Sequence, residues 1–234
     1  MVLLMRIEGP MQSFGYNSFF QNRETLSEPT KSSMIGLLCS AIGIDRKDNK
    51  NLIPLTKMRM GVRVDCPGDL NIDFQTIGSG DIYYNWDKYN GYYNNNKEYY
   101  IFNSDETVSK NAVISKRYYL SDASFIVGFE SVDESLLREC HNSLKNPKWH
   151  LFLGRKSYVP TSRIYLPDGL KPCDLETALL EYEYSPFGLT KKPKGPLKFI
   201  IENDEGTSIK DNPISFHDRV FSYRYVNRYY KEII

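Results

Sequence analysis

Long apolar runs are missing from this sequence. No stretch approaches the ~20 residues that cross a bilayer as a helix, and mean hydropathy is −0.49. The opening MVLLMRIEGPMQS starts apolar but is interrupted by Arg6, so it reads as a first strand rather than a signal peptide. Histidine is scarce. His141, His150 and His217 form no HxH, HExxH or Cys/His spacing, so neither a metal site nor a cofactor is expected. The four cysteines, Cys39, Cys66, Cys140 and Cys173, contain no CxxC pair and are expected to be free thiols in a cytosolic protein. No glycine-rich loop precedes Lys31-Ser32, which excludes a Walker element, and no GxSxG is present. Charge of one sign is also lacking. The net charge of +1 argues against a promiscuous nucleic-acid coat but leaves room for a local basic patch.

What is present is ordinary bulk and many aromatics. The chain has 234 residues, 41% of them hydrophobic, with 18 Tyr and 12 Phe. A chain of this length buries about 70% of its unfolded surface, enough for a real core. Tyr pairs a stacking face with a polar tip, which suits wet binding surfaces as well as cores.

Periodicity places the elements. Residues 2–8 alternate as a strand that Gly9-Pro10 ends. After Pro29, Thr30 or Ser32 caps a helix whose apolar face runs from Met34 to Ile42, and Gly43 stops it. In 58–65, Met58, Met60, Val62 and Val64 point one way and Arg59, Arg63 and Asp65 the other. Residues 67–69 make a turn, and 70–76 read as a strand. Residues 77–111 are polar and rich in Asn and Tyr. Strands follow at 112–120 and 123–129. Ser131 and Glu134 match a capping box before a helix ended by Asn146-Pro147, and 151–153 look extended. The first 155 residues thus read β-α-β, insertion, β-α-β, the ferredoxin-like order shared by the RNA recognition motif. The remainder, 156–234, reads as a β-rich extension packed on that core. It has a short helix near 174–182, a Lys/Pro turn at 191–196, and strands at 197–202 and 219–227.

Three segments concentrate positive charge. Residues 145–163 hold Lys145, Lys148, Arg155, Lys156 and Arg163 without an acid, interleaved with Trp149, Phe152 and Tyr158. Residues 108–121 hold Lys116 and Arg117 beside Tyr118 and Tyr119, and 189–198 hold four lysines. Phosphate neutralisation combined with base stacking uses this mixture. Any one such segment also fits a plain solvated face. The PTKSS start of the first helix could offer N–H groups and Lys31 to a phosphate, although a simple N-cap is the default reading of those five residues alone.

The same stretches resemble one family. GPMQSFG (9–15), Arg23-Glu24-Thr25, PTKSSMIGLLCSAIG (29–43), VRVD (62–65), TVSKNAVISKRYYLSDASFIV (107–127), LFLGRKSYVPTSRI (151–164) and DRVFSYRYV (218–226) follow, in order, the pattern of the CasD family, the Cas five family of type I-E CRISPR systems. Phe14 stands where the family usually has Trp, and Ser33 where it usually has Gly. The resemblance implies a RAMP-superfamily protein with a ferredoxin-like core. It implies a Cascade subunit that caps the 5′ handle of the CRISPR RNA, touches the backbone subunit CasC and the large subunit CasA, and meets target DNA only indirectly. It implies no catalysis, since a separate protein, CasE, cuts the precursor in type I-E systems. Insertion 77–111 would be the family's thumb, a hairpin ordered only in the complex. On this reading Gln12, Ser13, Lys31, Ser32, Ser33, Lys116, Arg117, Tyr119, Arg155, Lys156, Ser157 and Tyr158 contact RNA. The alternative is the type I-C relative, which cuts precursor RNA without metal through the RNA's own 2′-OH. Lys31, Lys116 and His217 would then take part.

Overall fold

The computed structural model describes residues 1–15, 22–77, 113–184 and 195–232. The expected insertion lies almost wholly outside these residues, as do Lys191, Lys192 and Lys194 of the Lys/Pro turn.

The chain runs β1 (Val2–Gln12), β2 (Asn22–Arg23), α1 (Lys31–Ile42), α2 (Asn49–Thr56), β3 (Arg59–Cys66), β4 (Asp69–Ile77), β5 (Val113–Glu130), α3 (Glu134–Lys145), β6 (Tyr165–Lys171), α4 (Leu175–Glu181), β7 (Leu197–Asn203), β8 (Thr207–Ser215) and β9 (Val220–Lys231). The strands form one nine-stranded sheet in the order β6-β1-β5-β3-β7-β9-β8, with β2 and β4 also pairing with β5. Among the described residues no helix is long and apolar enough to cross a membrane.

Side-chain alternation explains the layers. Leu3, Met5 and Ile7 of β1 join Phe125, Val127, Met60 and Val62 under α1 and α3. Val2 and Leu4, pointing the other way, join Ile126, Phe199 and Ile201 under α4. A strand covered on both faces needs apolar residues at successive positions, hence the unbroken VLLM. Helix α1 begins as its sequence dictates. The Thr30 side chain accepts from the Ser33 N–H, a cap worth ~1 kcal/mol, and Gly43 closes the helix at φ 88.

Several local expectations are corrected. β1 does not stop at Gly9-Pro10. It continues to Gln12, because Met11 and Gln12 still pair with Ser121 and Leu120. The two strands expected over 112–129 are one 18-residue strand, with Asp122 at φ 53 forming an irregularity inside it. The cap of α3 is Asp133 rather than Ser131. Its carboxylate accepts from the Leu136 N–H at 3.1 Å, and Ser131 instead accepts from the Asp133 N–H. Residues 151–153 form no strand, and the strand beside β1 is β6.

Two residues of the polar face expected for β3, Arg63 and Asp65, are buried. Arg63 is 0% exposed because α4 covers it. Its guanidinium donates to Asp65 Oδ1 at 2.6 Å and Oδ2 at 3.1 Å. It also donates to the Leu179 carbonyl at 2.7 Å and to the Tyr182 carbonyl. A cation there satisfies carbonyls at the end of α4 and complements the helix dipole.

Candidate nucleic-acid interface

Two loops meet beside the end of β1. The Ser13 N–H donates to the Leu153 carbonyl at 3.0 Å. Gly154, at φ 101, approaches so closely that a Cβ there would lie 2.0 Å from the Ser13 carbonyl oxygen. Only glycine fits both that conformation and that spacing. The Tyr158 N–H returns to the Arg155 carbonyl and the Leu153 N–H to the Tyr158 carbonyl, both at 2.8 Å, closing a tight turn. The Phe14 N–H donates to Thr25 Oγ1 at 2.8 Å, which gives the Arg23-Glu24-Thr25 element a structural task. Phe14 itself is fully buried, edge-on to Phe125 with centroids 5.7 Å apart. Its ring belongs to the core rather than to a stacking surface.

A groove of about 490 Å³ opens at the start of α1. Ser13, Ser32 and Ser33 line it, with Arg46, Phe152 and Phe216. Hydroxyls and aromatic faces together suit sugar, phosphate and base. Two residues expected here turn inward instead. Lys31 is 1% exposed, its ammonium 2.8 Å from Glu202 Oε1. Burial pushes the Lys31 ammonium below its ordinary pKa, and the Glu202 carboxylate only partly offsets this. The Lys31 N–H donates to Asp211 Oδ2 at 2.7 Å, so a carboxylate already answers the positive end of the helix. Gln12 is 0% exposed, its amide donating to the Ala123 and Gly9 carbonyls, where it braces β1 against β5.

The basic and aromatic residues gather on β5 and the 155–158 turn. Strand alternation puts Arg117 and Tyr119 on one face of β5 and Lys116 on the other. β2 runs parallel beside β5 and sets Arg23 level with Arg117, while β4 sets Asp73 opposite Arg117. Arg155 donates to the Tyr158 hydroxyl at 2.6 Å and lies over its ring, 5.2 Å from the centroid. The Tyr119 and Tyr158 rings are 6.0 Å apart. Burial, together with the charges of Arg117 and Arg23, pushes the Arg155 guanidinium below its ordinary pKa, against the opposing pull of Tyr158 and Asp73. An anion placed there would relieve that crowding.

The structure therefore brings together Arg117, Tyr119, Arg155 and Tyr158, with exposed Lys156 and Ser157 on the turn. Tyr158 is only 3% exposed and supports Arg155 rather than offering a free face. Arg23 joins the group although charge density did not mark it. Its place in the Arg-x-Thr element was the available signal. Among the described residues, no group of three or more His, Cys, Asp or Glu is placed to hold a metal. The cysteines are free, and burial pushes the Cys39 and Cys140 thiols up to about 12.

Comparison with known proteins agrees with this architecture. The family described as CRISPR-associated protein (Cas_Cas5) matches residues 2–229. The CRISPR system Cascade subunit CasD of Escherichia coli K12 is 29% identical over 184 residues, covering 77% of this chain and 76% of that protein. A crystal structure of a Cas protein superposes with a TM-score of 0.75 at 37% identity, covering 100% of this chain and 96% of the other. A chain of a CRISPR RNA-guided surveillance complex gives 0.73 at 28% identity, covering 100% and 91%. A match spanning nearly the whole chain, on a mixed α/β fold with one large, mainly antiparallel sheet, settles its membership: the chain belongs to the Cas five family of CRISPR-associated proteins.

Proposed function

We propose that this protein is the guide-binding Cas five subunit of a type I-E Cascade complex, holding the 5′ handle of the CRISPR RNA in antiviral defence. The observation that carries this reading is the convergence of Arg117 and Tyr119 of β5 with Arg155 of the 155–158 turn. The hydroxyl-lined groove at the start of α1 continues it through Gly154. Likeness to CasD and to a surveillance-complex chain supports the same role. On this reading the partners are the handle RNA, the backbone subunit CasC and the large subunit CasA, with target DNA met indirectly. The location is cytoplasmic.

We further read the core as ferredoxin-like. β1, α1, β3, β5, α3 and β6 follow that order, and β6-β1-β5-β3 is the matching strand arrangement. The first 155 residues form most of it, and β6 extends it to Lys171. The rest is an extension packed on the core, since β7 pairs directly with β3.

The subunit holds RNA without cutting it. The groups assigned to a cutting role have other surroundings: Lys31 is enclosed with Glu202, Lys116 lies on the opposite face of β5 from Arg117, and His217 pairs with Asp218 at 3.0 Å. The test is a gel without metal, with the full chain mixed with labelled repeat RNA and with processed handle. Retention of the handle without cleavage is expected. Cutting that disappears when Lys31, Lys116 or His217 is changed would replace this reading with the nuclease.

A further inference from the structure

A second groove, of about 780 Å³, shares Leu151 with the one at the start of α1. Its walls are the chain leaving α3 and the chain entering β6. Both walls are held firmly. The Lys148 and Trp149 N–H groups donate to the Ala41 and Ser40 carbonyls at the end of α1, at 2.9 and 3.1 Å. The opposite wall is tied to β1, Thr161 N–H to the Glu8 carbonyl and Arg6 N–H to the Ile164 carbonyl. Buried Leu144 and Ile164 lie between them.

The lining chemistry is one-sided. Lys145, Lys148, His150 and Arg163 contribute, and no Asp or Glu does, in a chain whose net charge is only +1. Trp149, another lining residue, is 44% exposed. The Lys148 stem lies across Gly43, where an added Cβ would meet its Cδ at 2.1 Å. That contact holds the Lys148 side chain against the end of α1, its Nζ 3.0 Å from the same Cβ position. The Ser162 hydroxyl, in a residue of the wall, is buried and has no hydrogen-bond partner in the protein.

Resting on the nucleic-acid reading above, we propose that this groove is a second subsite for single-stranded nucleic acid. One base stacks on Trp149, and the flanking phosphates lie on Lys148 and Arg163. A flat exposed indole between spaced cations matches alternating bases and phosphates. An acidic peptide would use the cations and leave the indole idle. The ligand chemistry is shared by the guide and by a DNA strand, and the 2′-OH distinguishes them.

The chain has two tryptophans, Trp86 and Trp149. In a Trp86→Phe background, fluorescence excited beyond the tyrosine absorption band therefore reports Trp149 alone. The probes are a uridine homopolymer RNA, a thymidine homopolymer DNA and poly-glutamate. Nucleic acid should quench the signal. Reversing both charges, Lys148→Glu with Arg163→Glu, should weaken binding by about tenfold or more and abolish the quench. Arg155→Ala should leave the quench amplitude intact. Quenching by RNA alone assigns the groove to the guide, quenching by DNA alone assigns it to a DNA strand, and equal quenching supports a single-strand subsite that does not read the 2′-OH. Absence of quenching by either nucleic acid overturns the proposal, as does quenching by poly-glutamate alone or affinity unmoved by charge reversal. If Arg155→Ala still weakens handle binding in those cases, only the second subsite fails. If neither variant alters any binding, the nucleic-acid reading fails with it.

Discussion

The Lys31 ammonium sits 2.8 Å from the Glu202 carboxylate, joining the start of α1 to β7 across 171 residues of sequence. Glu202 also accepts from the Met60 N–H at 3.0 Å and lies 3.7 Å from Arg224. Lys31→Met should therefore destabilise the protein by about 3 kcal/mol, at the low end for breaking a buried pair, because Arg224 still answers the carboxylate. Urea denaturation measures this. Handle affinity per folded molecule should not change. A fall in affinity with stability intact would return Lys31 to the RNA surface.

On the proposed function Arg155 faces RNA instead. If about five phosphates are neutralised, log affinity for handle RNA should fall with log salt at a slope near −3.5, from ~0.7 per contact on single strands. Arg155→Ala should weaken binding and make the slope shallower by about 0.7. An unchanged slope would remove Arg155 from the contact list.

Gly154→Ala tests the meeting of the two loops. A methyl group there faces backbone rather than a yielding side chain, at a φ that alanine resists. The Ser13–Leu153 contact should open, costing more than about 1 kcal/mol and lowering handle affinity. Thermal unfolding and a binding titration read the two effects. A variant with unchanged melting would mean that the loops move apart freely.

Glu28 predicts an acid limb. Burial pushes its carboxyl up, but hydrogen bonds and charge from Lys198 and Arg228 outweigh this and hold it below its ordinary value. A depressed folded pKa stabilises the protein fully above the unfolded value, roughly pH 4.3, and that stability is lost as pH falls through the folded pKa. Wild type and Glu28→Gln should therefore differ most at neutral pH and converge at low pH. Curves that stay parallel across that range would show that Glu28 does not carry the linkage.

Legibility followed how local each cause is. Helix α1 was readable because Thr30, its apolar face and Gly43 all lie within its own sequence. The second buried face of β3 was not, because what covers Arg63 and Asp65 is α4, more than a hundred residues later. Strand β8 carries no strong apolar alternation and owes its place to pairing with β9. The basic segments pointed to Arg117, Arg155 and Lys156, and the fold leaves these side chains near one another, since charge density survives folding. Charge alone could not tell that Lys31 would meet Glu202, or that Gln12 would turn toward Ala123. Arg23 was overlooked because its value comes from a two-residue parallel pairing with β5.

β3 is hydrogen-bonded on both sides, to β5 and to β7. A fragment cut after Lys171 would lose β7 and leave one side of β3 bare, with Val62 and Val64 along it. Such an edge is a template for another strand. The C-terminal strands thus act as a guard against self-association, and shortened versions of this chain should fail by aggregating before any loss of RNA contacts could be measured.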